Sequence, residues 1–227
     1  MSERIERIKV KLEQLRQLDS DFELFGADSH QYSLNPVLTM NQVREFERAH
    51  NVELPADYVA FLTLLGNGGA GPFYGVNTLE ESRICYYDDS ERANHIYFDL
   101  AKPFPHAESW NAERELEELY TKIDEANEQG DEELEQKLFD QKWEIIGGEE
   151  HDYGRLFISH YGCGIRISLV VNGIAKGTMW TDDRTHDGGI YPTTELGNKE
   201  KIAFLDWYEL WLDQSIEKAQ SGDYDDK

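Results

Sequence analysis

Four side chains that can bind cations lie close together in the sequence: Asp182, Asp183, His186 and Asp187. Loops rich in carboxylate oxygens bind hard cations such as calcium and magnesium. The spacing does not match the calcium loop of an EF-hand, however, and Arg184 in the middle of the segment would repel a cation. We therefore expect no metal here. Two interpretations stay open: a polar loop after a strand, or an exposed acidic patch that contacts a partner.

Two further pairs of residues have the side-chain types that catalysis uses. Cys163 and His160 would form a nucleophilic pair only if a third group oriented the base, and the sequence does not identify such a group. We interpret them as a small buried cysteine and a histidine at a strand end. His151 and Asp152 could exchange protons, but the surrounding glycines favour a mobile loop. We therefore expect no enzyme; a hydrolase that uses the acidic loops is the enzymatic alternative.

The glycine-rich run GNGGAGP at residues 66–72 could be mistaken for a phosphate-binding loop. Such a loop follows a strand, precedes a helix and usually contains Gly-Lys-Ser or Gly-Lys-Thr. Here the preceding segment has helical periodicity, Pro72 follows, and no lysine is near. The run is typical of a turn, because glycine adopts positive φ angles and lets two backbones approach closely. We expect the chain to bind no cofactor.

The chain is strongly acidic. Its 46 Asp and Glu residues against 22 Lys and Arg residues give a formal net charge of -24. Such a surface repels phosphate backbones and anionic lipid head groups, so direct binding of nucleic acid or a membrane is not expected. It attracts basic proteins and speeds their encounter. The alternative is that the acidity only keeps the protein soluble.

Cysteine content and hydropathy favour the cytoplasm. Two cysteines, Cys85 and Cys163, are too few for a disulfide framework in a chain of 227 residues. No apolar stretch approaches the ~20 residues that a membrane-spanning helix needs. The N-terminus, MSERIERIKVKLEQL, is charged throughout and has no apolar signal core.

Two amphipathic helices are predicted near the ends of the chain. Apolar side chains at steps of three and four predict a helix over residues 3–18, and the pattern then breaks into a loop from Asp19 to Pro36. A last helix is predicted over residues 199–218, and the polar residues 221–227 are expected to form an acidic tail. The apolar positions of the two helices are Ile5, Ile8, Leu12, Leu15, Phe204, Trp207, Tyr208 and Trp211.

Two more helices are predicted in the first third of the chain. The first covers residues 39–50, where Thr39 and Gln42 fit a capping box and Asn51 fits a left-handed stop. The second opens at Leu54-Pro55, since proline is well tolerated at a first helical position. Its core-facing stripe consists of Tyr58, Phe61, Leu62 and Leu65.

Residues 109–146 have the pattern of a helical hairpin with a thin apolar seam. Gln129-Gly130-Asp131 marks the turn between two helices, and Gly147-Gly148 ends the second one. From Asn111 to Glu144 there are 13 acidic and 4 basic side chains, a net charge of -9. The seam of the returning helix is predicted to contain Leu134, Leu138, Phe139, Trp143 and Ile146.

Residues 155–181 have strand character. Leu156, Phe157 and Ile158 predict one strand, and alternating apolar residues from Ile167 to Val171 predict another. Asn172-Gly173 is a strong short hairpin signal, because both positions of that turn favour positive φ angles. The following strand is predicted to include Trp180.

One block of the sequence resembles the SUKH superfamily, which includes cell-wall-assembly regulators of the Smi–Knr type and bacterial immunity proteins. The block is LPADYVAFLTLLGNGGAGPFYGV at residues 54–76: Leu-Pro, an acidic residue, an aromatic residue, an apolar helix and a glycine-rich exit. Residues 156–181 and 188–216 look like the closing β-meander and aromatic C-terminal helix of that family. The predicted helix over residues 3–18 lies outside the family pattern, and the hairpin 109–146 looks like an insertion.

The resemblance implies an α+β fold: a single domain with a mixed, mostly antiparallel sheet packed by helices, plus the inserted acidic helical hairpin. It divides the chain into an N-terminal helix and loop at 1–30, a SUKH-like domain at 31–220 and an acidic tail at 221–227. It implies no catalysis. Bacterial relatives bind and neutralise a cognate toxin, often a nuclease, and fungal relatives are regulatory scaffolds.

We therefore expect an immunity protein that binds a basic, nuclease-type toxin through its acidic surface; a regulatory scaffold of the Smi–Knr type is the alternative. Six residues are candidates for the contact, as aromatic anchors or as charged groups: Tyr74, Asp152, Tyr153, Trp180, Asp182 and Asp183. Tyr74 is expected to be exposed and its neighbour Phe73 buried, because the side chains of a strand alternate between its two faces.

Overall fold

The computed structural model describes residues 1–86 and 95–224. Over these residues the chain has an α+β fold, as the sequence predicts, with helices packed on a four-stranded antiparallel sheet. The helices are α1 (Ser2–Leu18), α2 (Ala27–His30), α3 (Met40–His50), α4 (Ala56–Leu64), α5 (Glu113–Gln129), α6 (Glu132–Ile146) and α7 (Phe204–Ser221). The strands are β1 (Ile84–Tyr86), β2 (His95–Tyr97), β3 (Arg155–Gly162), β4 (Ile165–Val170), β5 (Met179–Asp183) and β6 (Gly189–Pro192).

The sheet is a meander in the order β3-β4-β5-β6, and residues on both of its faces are buried. On one face, Leu156, Ile167 and Met179 join the main hydrophobic core with the helices. On the other face, Trp180 packs in a second layer that includes Phe104, from the segment before α5. Strand side chains alternate between the two faces. Trp180, which follows the core residue Met179, therefore points into this second layer and not into solvent.

Helix α1 packs on α7 and shares the main core, which confirms its predicted amphipathic face. The apolar side chains at positions 5, 8, 12 and 15 are buried. Three cations of α1 surround one carboxylate of α7: Glu209 accepts hydrogen bonds from Arg4 Nε at 3.1 Å, Arg7 Nη2 at 2.9 Å and Lys11 Nζ at 3.0 Å. The hydrogen bond from Arg7, together with Lys11, outweighs the opposing effect of burial and lowers the pKa of Glu209 to about 2.

Helices α3 and α4 begin and end close to the predicted positions. The capping box is present: the backbone N–H of Gln42 donates to Thr39 Oγ1, and the backbone N–H of Thr39 donates to the side-chain Oε1 of Gln42 at 2.9 Å. Asn51 ends α3 with a φ of 47°, as predicted. Pro55 precedes the first residue of α4 instead of occupying it.

The glycine run after α4 packs tightly against neighbouring backbone. Gly69 forms isolated bridges with both Leu34 and Val76, at a φ of 103°. A Cβ atom at Gly69 would lie 2.4 Å from the carbonyl oxygen of Ser33, so this approach requires glycine. The run is a structural turn, as the sequence predicts.

The connection between β4 and β5 differs from the predicted two-residue turn. β4 ends at Val170 and β5 begins at Met179, so Asn172 and Gly173 lie in a longer loop. The Asn172 side chain donates to the carbonyl oxygen of Ala101 at 2.9 Å, and its backbone oxygen accepts a hydrogen bond from the Phe104 N–H at 2.9 Å. The Asn-Gly pair therefore fixes the segment that covers the second face of the sheet.

Helices α5 and α6 form the predicted hairpin, which has a small core of its own. The turn is at Gly130, with a φ of 68°, and the Asp131 side chain caps α6 by accepting from the Leu134 N–H at 3.1 Å. The hairpin core consists of Ala112, Leu116, Leu119, Ile123, Ala126, Leu138 and Ile146. The prediction that Leu134, Phe139 and Trp143 also face the seam is wrong: they are exposed, since a two-helix hairpin covers only a narrow stripe of each helix.

Two segments differ from the expected boundaries. The loop predicted after the first helix contains the short helix α2, and α7 begins at Phe204, later than predicted. Residues 225–227 of the predicted acidic tail lie outside the described residues. Among the helices described, none combines the length and apolar character needed to cross a membrane.

Replacing Glu209 with alanine leaves three cations of α1 without their shared counter-charge. The folded-state pKa of about 2 lies below the ordinary 4.5, so this carboxylate stabilises the fold above pH 4.5, and the contribution is lost as the pH falls toward 2. We expect Glu209→Ala to lower the free energy of unfolding by about 1–3 kcal/mol at neutral pH, measured by urea denaturation. The control Asp206→Ala, which removes an exposed partner of Arg4, should cost less than about 1 kcal/mol. Equal losses would contradict the central role of Glu209.

Candidate partner-binding surface

The six residues predicted to contact a partner do not share one surface. Tyr74 is 45% exposed, whereas Tyr153 and Asp183 are half-buried. Tyr153 already has an internal partner, because Lys102 Nζ lies 3.0 Å from its hydroxyl oxygen and 4.1 Å from its ring centroid. Tyr74 is therefore the best placed of these three for contact with another protein.

Burial corrects the expectation for Asp152, Trp180 and Asp182. All three side chains are buried in the second layer beneath the sheet, where a partner cannot reach them. The Trp180 ring meets the Phe104 ring edge-on at 5.0 Å, and its Nε1–H donates to Thr178 Oγ1 at 2.8 Å. Trp180 is thus a core residue with its polar atom satisfied.

The two buried aspartates belong to a cluster of four charges: Asp152, Arg155, Asp182 and Arg184. Arg184 Nη2 lies 2.8 Å from Asp152 Oδ1 and 2.7 Å from Asp182 Oδ2. Arg155 Nη2 lies 2.7 Å from Asp182 Oδ2 and also pairs with Asp152. Burial alone would raise the pKa of Asp182, but the two guanidinium groups outweigh it and hold the pKa well below its usual range. Asp182 is therefore ionised at neutral pH although it is buried.

This charge cluster connects the sheet to the acidic hairpin. Arg155 lies at the start of β3, Asp182 lies on β5, and Asp152 ends a 3-10 turn that follows α6. Arg184 Nη1 donates to the carbonyl oxygen of Ile146, the last residue of α6, at 2.9 Å. The hairpin is therefore held at its C-terminal end by the same residues that join two strands.

The acidic segment that begins at the end of β5 forms its contacts within the protein. Asp183 Oδ1 lies 2.8 Å from His186 Nδ1, and Asp187 Oδ1 lies 2.7 Å from Lys142 Nζ on the hairpin. Within the described residues, no three His, Cys, Asp or Glu side chains are grouped so that they could hold a metal ion. Since Asp182 is buried, the segment presents less exposed charge than its sequence indicates.

The Cys163–His160 pair also differs from its interpretation. Cys163 is exposed rather than buried, because it lies in the turn between β3 and β4 with a φ of 49°. His160 is exposed on β3, and its ring lies 5.9 Å from that of Tyr74. His160 thus borders the surface around Tyr74.

Tyr74 belongs to an aromatic surface that the sequence did not reveal. Its ring meets Phe25 edge-on at 5.3 Å, and Phe25 meets Tyr161 at 6.0 Å. Phe73 is buried, as predicted, and its ring lies 4.5 Å from Tyr161. The predicted reason is wrong, however, since the pair lies in a turn with Phe73 at a φ of 59°, not in a strand.

Two clefts flank Phe25. The larger, of about 540 Å³, includes Tyr161, Trp211 and Glu195 in its walls. The smaller, of about 280 Å³, lies between Phe25, Asp28 and Tyr74. The sequence pattern around Phe25 and Tyr161 does not distinguish them from aromatic residues of the core. They come close to Tyr74 only when the chain is folded.

Beside the charge cluster, His106, Trp110 and His151 form a stack. His106 Nε2 lies 2.9 Å from His151 Nδ1, and the Trp110 ring centroid lies 4.0 Å from that of His151. Burial lowers the pKa of His106 to about 4, and the neighbouring His151 adds to the effect. Burial and Arg184 lower the pKa of His151 as well. The stack is therefore neutral at physiological pH.

The outer surface of the hairpin is acidic. Many of the carboxylates that the structure describes there are exposed, for example those of Glu117, Asp124 and Asp140. Lys142 is buried and turned toward the body of the protein, where it pairs with Asp187. Exposed aromatic rings lie among these carboxylates on α6. The hairpin thus combines negative charge with large apolar groups, as does the surface around Tyr74.

Replacement of the adjacent residues Asp182 and Asp183 should change the free energy of unfolding by very different amounts. Asp182→Ala leaves two arginines buried with one carboxylate between them, so we expect a loss of about 3–5 kcal/mol in the free energy of unfolding. Asp183→Ala removes a contact to the exposed His186 and should cost less than about 1 kcal/mol. Urea denaturation at neutral pH measures both. Similar losses would show that the cluster does not carry the stability assigned to it.

The histidine stack should make stability depend on mild acid. Because the folded-state pKa of His106 lies below the ordinary 6.5, the unfolded chain takes up a proton first, and stability falls as the pH drops from 6.5 toward 4. We expect His106→Asn to remove up to about 2 kcal/mol of the loss between about pH 7 and about pH 5, measured by urea denaturation. The control His186→Asn replaces an exposed histidine outside the stack. His30, whose pKa burial lowers to about 4, contributes to the pH dependence of every variant. An unchanged slope in His106→Asn would refute this role.

Comparison of the chain with protein-family models, with curated proteins and with solved structures finds no match in any of the three. The candidate surface is therefore defined by the side chains of this chain alone. It consists of two aromatic areas with carboxylates nearby: one around Phe25, Tyr74 and Tyr161, and one on α6 of the hairpin.

Proposed function

We propose that this protein is a non-catalytic binding protein that neutralises a basic protein partner. The observation that carries the proposal is the division of charge: more than half of the bases pair with carboxylates of the same chain, whereas many carboxylates, those of the hairpin among them, are exposed. A protein of this kind needs no bond-making chemistry. It blocks its partner by covering the basic surface with which that partner binds its own target.

The internal use of the bases is extensive. At least twelve of the 22 lysine and arginine residues are paired with carboxylates of this chain. They are Arg4, Arg7, Lys9, Lys11, Arg16, Arg83, Lys102, Lys142, Arg155, Lys176, Arg184 and Lys201. Because the 46 acidic residues outnumber the 22 basic ones, a surplus of carboxylates carries the net charge of -24.

The surplus charge and the exposed aromatic rings have different physical roles in binding. An exposed ion pair contributes only about 0.2–1 kcal/mol, but many carboxylates acting together raise the association rate by orders of magnitude at low salt. Affinity comes from a few large side chains in the centre of an interface. Tyr74, with Phe25 beside it, and the rings on α6 are the exposed groups of that type.

The class of partner that we propose is a bacterial toxin with a basic, nucleic-acid-binding surface. The support is the resemblance of residues 54–76 to the SUKH superfamily, together with the elements around them: the capped helix α3, the glycine-rich exit from α4, the antiparallel meander and the aromatic helix α7. We place this function in the cytoplasm, because a toxin directed at nucleic acid acts there.

Co-expression with the product of the adjacent reading frame tests the proposal. We expect that product to be toxic alone, that the chain restores growth, and that the two proteins co-purify at about 50 mM salt and separate partly at about 500 mM, because salt screens the attraction. Purified complex should lack the activity of the free toxin.

Three outcomes would count against this function. A result with no growth protection and no complex would refute it. Recovery of several unrelated housekeeping proteins with the chain would support the regulatory scaffold of the Smi–Knr type instead. Turnover of a substrate by the purified chain, lost in an Asp183→Asn/His186→Asn variant, would show that the protein is an enzyme.

A further inference from the structure

Helix α6 carries an exposed stripe in which aromatic and acidic residues share one face. Phe139 and Trp143, four residues apart, are 37% and 44% exposed. Glu132, Gln136 and Asp140 follow one another at steps of four, with Phe139 three residues after Gln136 and Trp143 three residues after Asp140, so all five lie along the same face. Gln136 Nε2 donates to Asp140 Oδ1 at 3.0 Å along this face. We refer to these five residues as the α6 stripe.

The α6 stripe is presented on a fixed platform. Arg184 Nη1 donates to the carbonyl oxygen of Ile146 at 2.9 Å, and Lys142 Nζ lies 2.7 Å from Asp187 Oδ1. Just before α5 begins, Trp110 and Ile190 exchange backbone hydrogen bonds of 2.7 and 2.8 Å. The hairpin is therefore tied to the sheet both where its chain enters and where its chain leaves. A rigid platform lowers the entropy cost of binding.

We infer that the α6 stripe docks a basic, amphipathic segment of the partner, in which apolar side chains cover Phe139 and Trp143 and flanking lysines or arginines meet the surrounding carboxylates. This inference rests on the proposed function and identifies where the partner binds. An exposed tryptophan and phenylalanine beside exposed carboxylates provide anchors for affinity. The carboxylates select for positive charge.

Charge decides between a basic partner and a second copy of this chain. The residues from Asn111 to Glu144 carry a net charge of -9, so two hairpins brought face to face would repel each other. The same charge opposes an anionic membrane surface. A cationic protein segment instead gains from both components of the stripe, since its apolar residues cover the rings while its bases neutralise the acids.

The opposite flank of α6 provides a matched control. Leu134 and Ile145 are also exposed, to a similar extent, but they lie on the other side of the buried line through Leu138. A double replacement there removes two large apolar groups from the same helix and leaves the α6 stripe intact. Exposed residues of this kind contribute little to stability, so both double variants should fold.

A synthetic peptide serves as the probe. It is a helix of about 20 residues with leucines along one face and lysines beside them, and a second peptide carries the same lysines with serine in place of leucine. Fluorescence anisotropy of the labelled peptide measures the dissociation constant. We expect the leucine peptide to bind, the serine peptide to bind at least about tenfold more weakly, and Trp143 to become protected from acrylamide quenching.

The variants locate the site. Phe139→Ala/Trp143→Ala should weaken binding of the leucine peptide at least about tenfold, and Leu134→Ala/Ile145→Ala less than about twofold. Asp140→Asn/Glu144→Gln should slow association and reduce its salt dependence. The exposed pair Glu45→Gln/Glu217→Gln, which removes the same charge outside the hairpin, should have a smaller effect. Circular dichroism checks that each variant retains its helices.

The outcomes separate this inference from the proposed function. If the chain still protects against the product of the adjacent reading frame, while Phe139→Ala/Trp143→Ala has wild-type affinity for that product and for the peptide, the function stands and this docking site is refuted. Absence of binding by the leucine peptide, or equal loss in the two apolar double variants, also refutes it. Concentration-dependent dimers in sedimentation, abolished by Phe139→Ala/Trp143→Ala, would identify a second copy as the occupant and overturn the choice of partner.

Discussion

The buried charge cluster of Asp152, Arg155, Asp182 and Arg184 is the interaction on which the second layer of the fold depends. Moving four charges out of water costs several kcal/mol per ion, and this is offset only where the opposite charges meet with good geometry. Here each arginine contacts both carboxylates. Because Arg184 also reaches the last residue of α6, the contacts of this cluster fix the position of the hairpin as well as that of the strands.

Helices and their ends could be predicted because neighbouring residues decide them. The buried face of α1 is set by side chains three and four residues apart, and the left-handed residue Asn51 and the Thr39 capping box depend on a few adjacent residues. The Asn172-Gly173 turn was predicted in the same way and was wrong. Its backbone is used by the distant Phe104 segment, and that contact replaces the local preference for a tight hairpin.

The candidate site was predicted less well, because exposure is not a local property. Trp180 and Asp182 alternate with core residues of β5, a pattern that ordinarily marks a face in solvent. What covers that face comes from the segment around His106 and from the 3-10 turn Glu149–Asp152, both far from β5 in the sequence. The nearness of Arg184 to Asp182 was a usable signal, since a carboxylate beside an arginine on a strand can be an internal pair.

The location of the surplus charge couples binding to the stability of the hairpin. Surplus negative charge destabilises a compact state through self-repulsion, and the hairpin concentrates a net charge of -9 on two helices with a small core. Salt screens this repulsion over about 8 Å at physiological strength and so stabilises the free hairpin. The same salt weakens attraction to a basic partner. A bound cationic segment would itself neutralise the carboxylates and so reduce the repulsion within the hairpin. The resulting gain in hairpin stability is greatest at low salt, where ions screen the repulsion least.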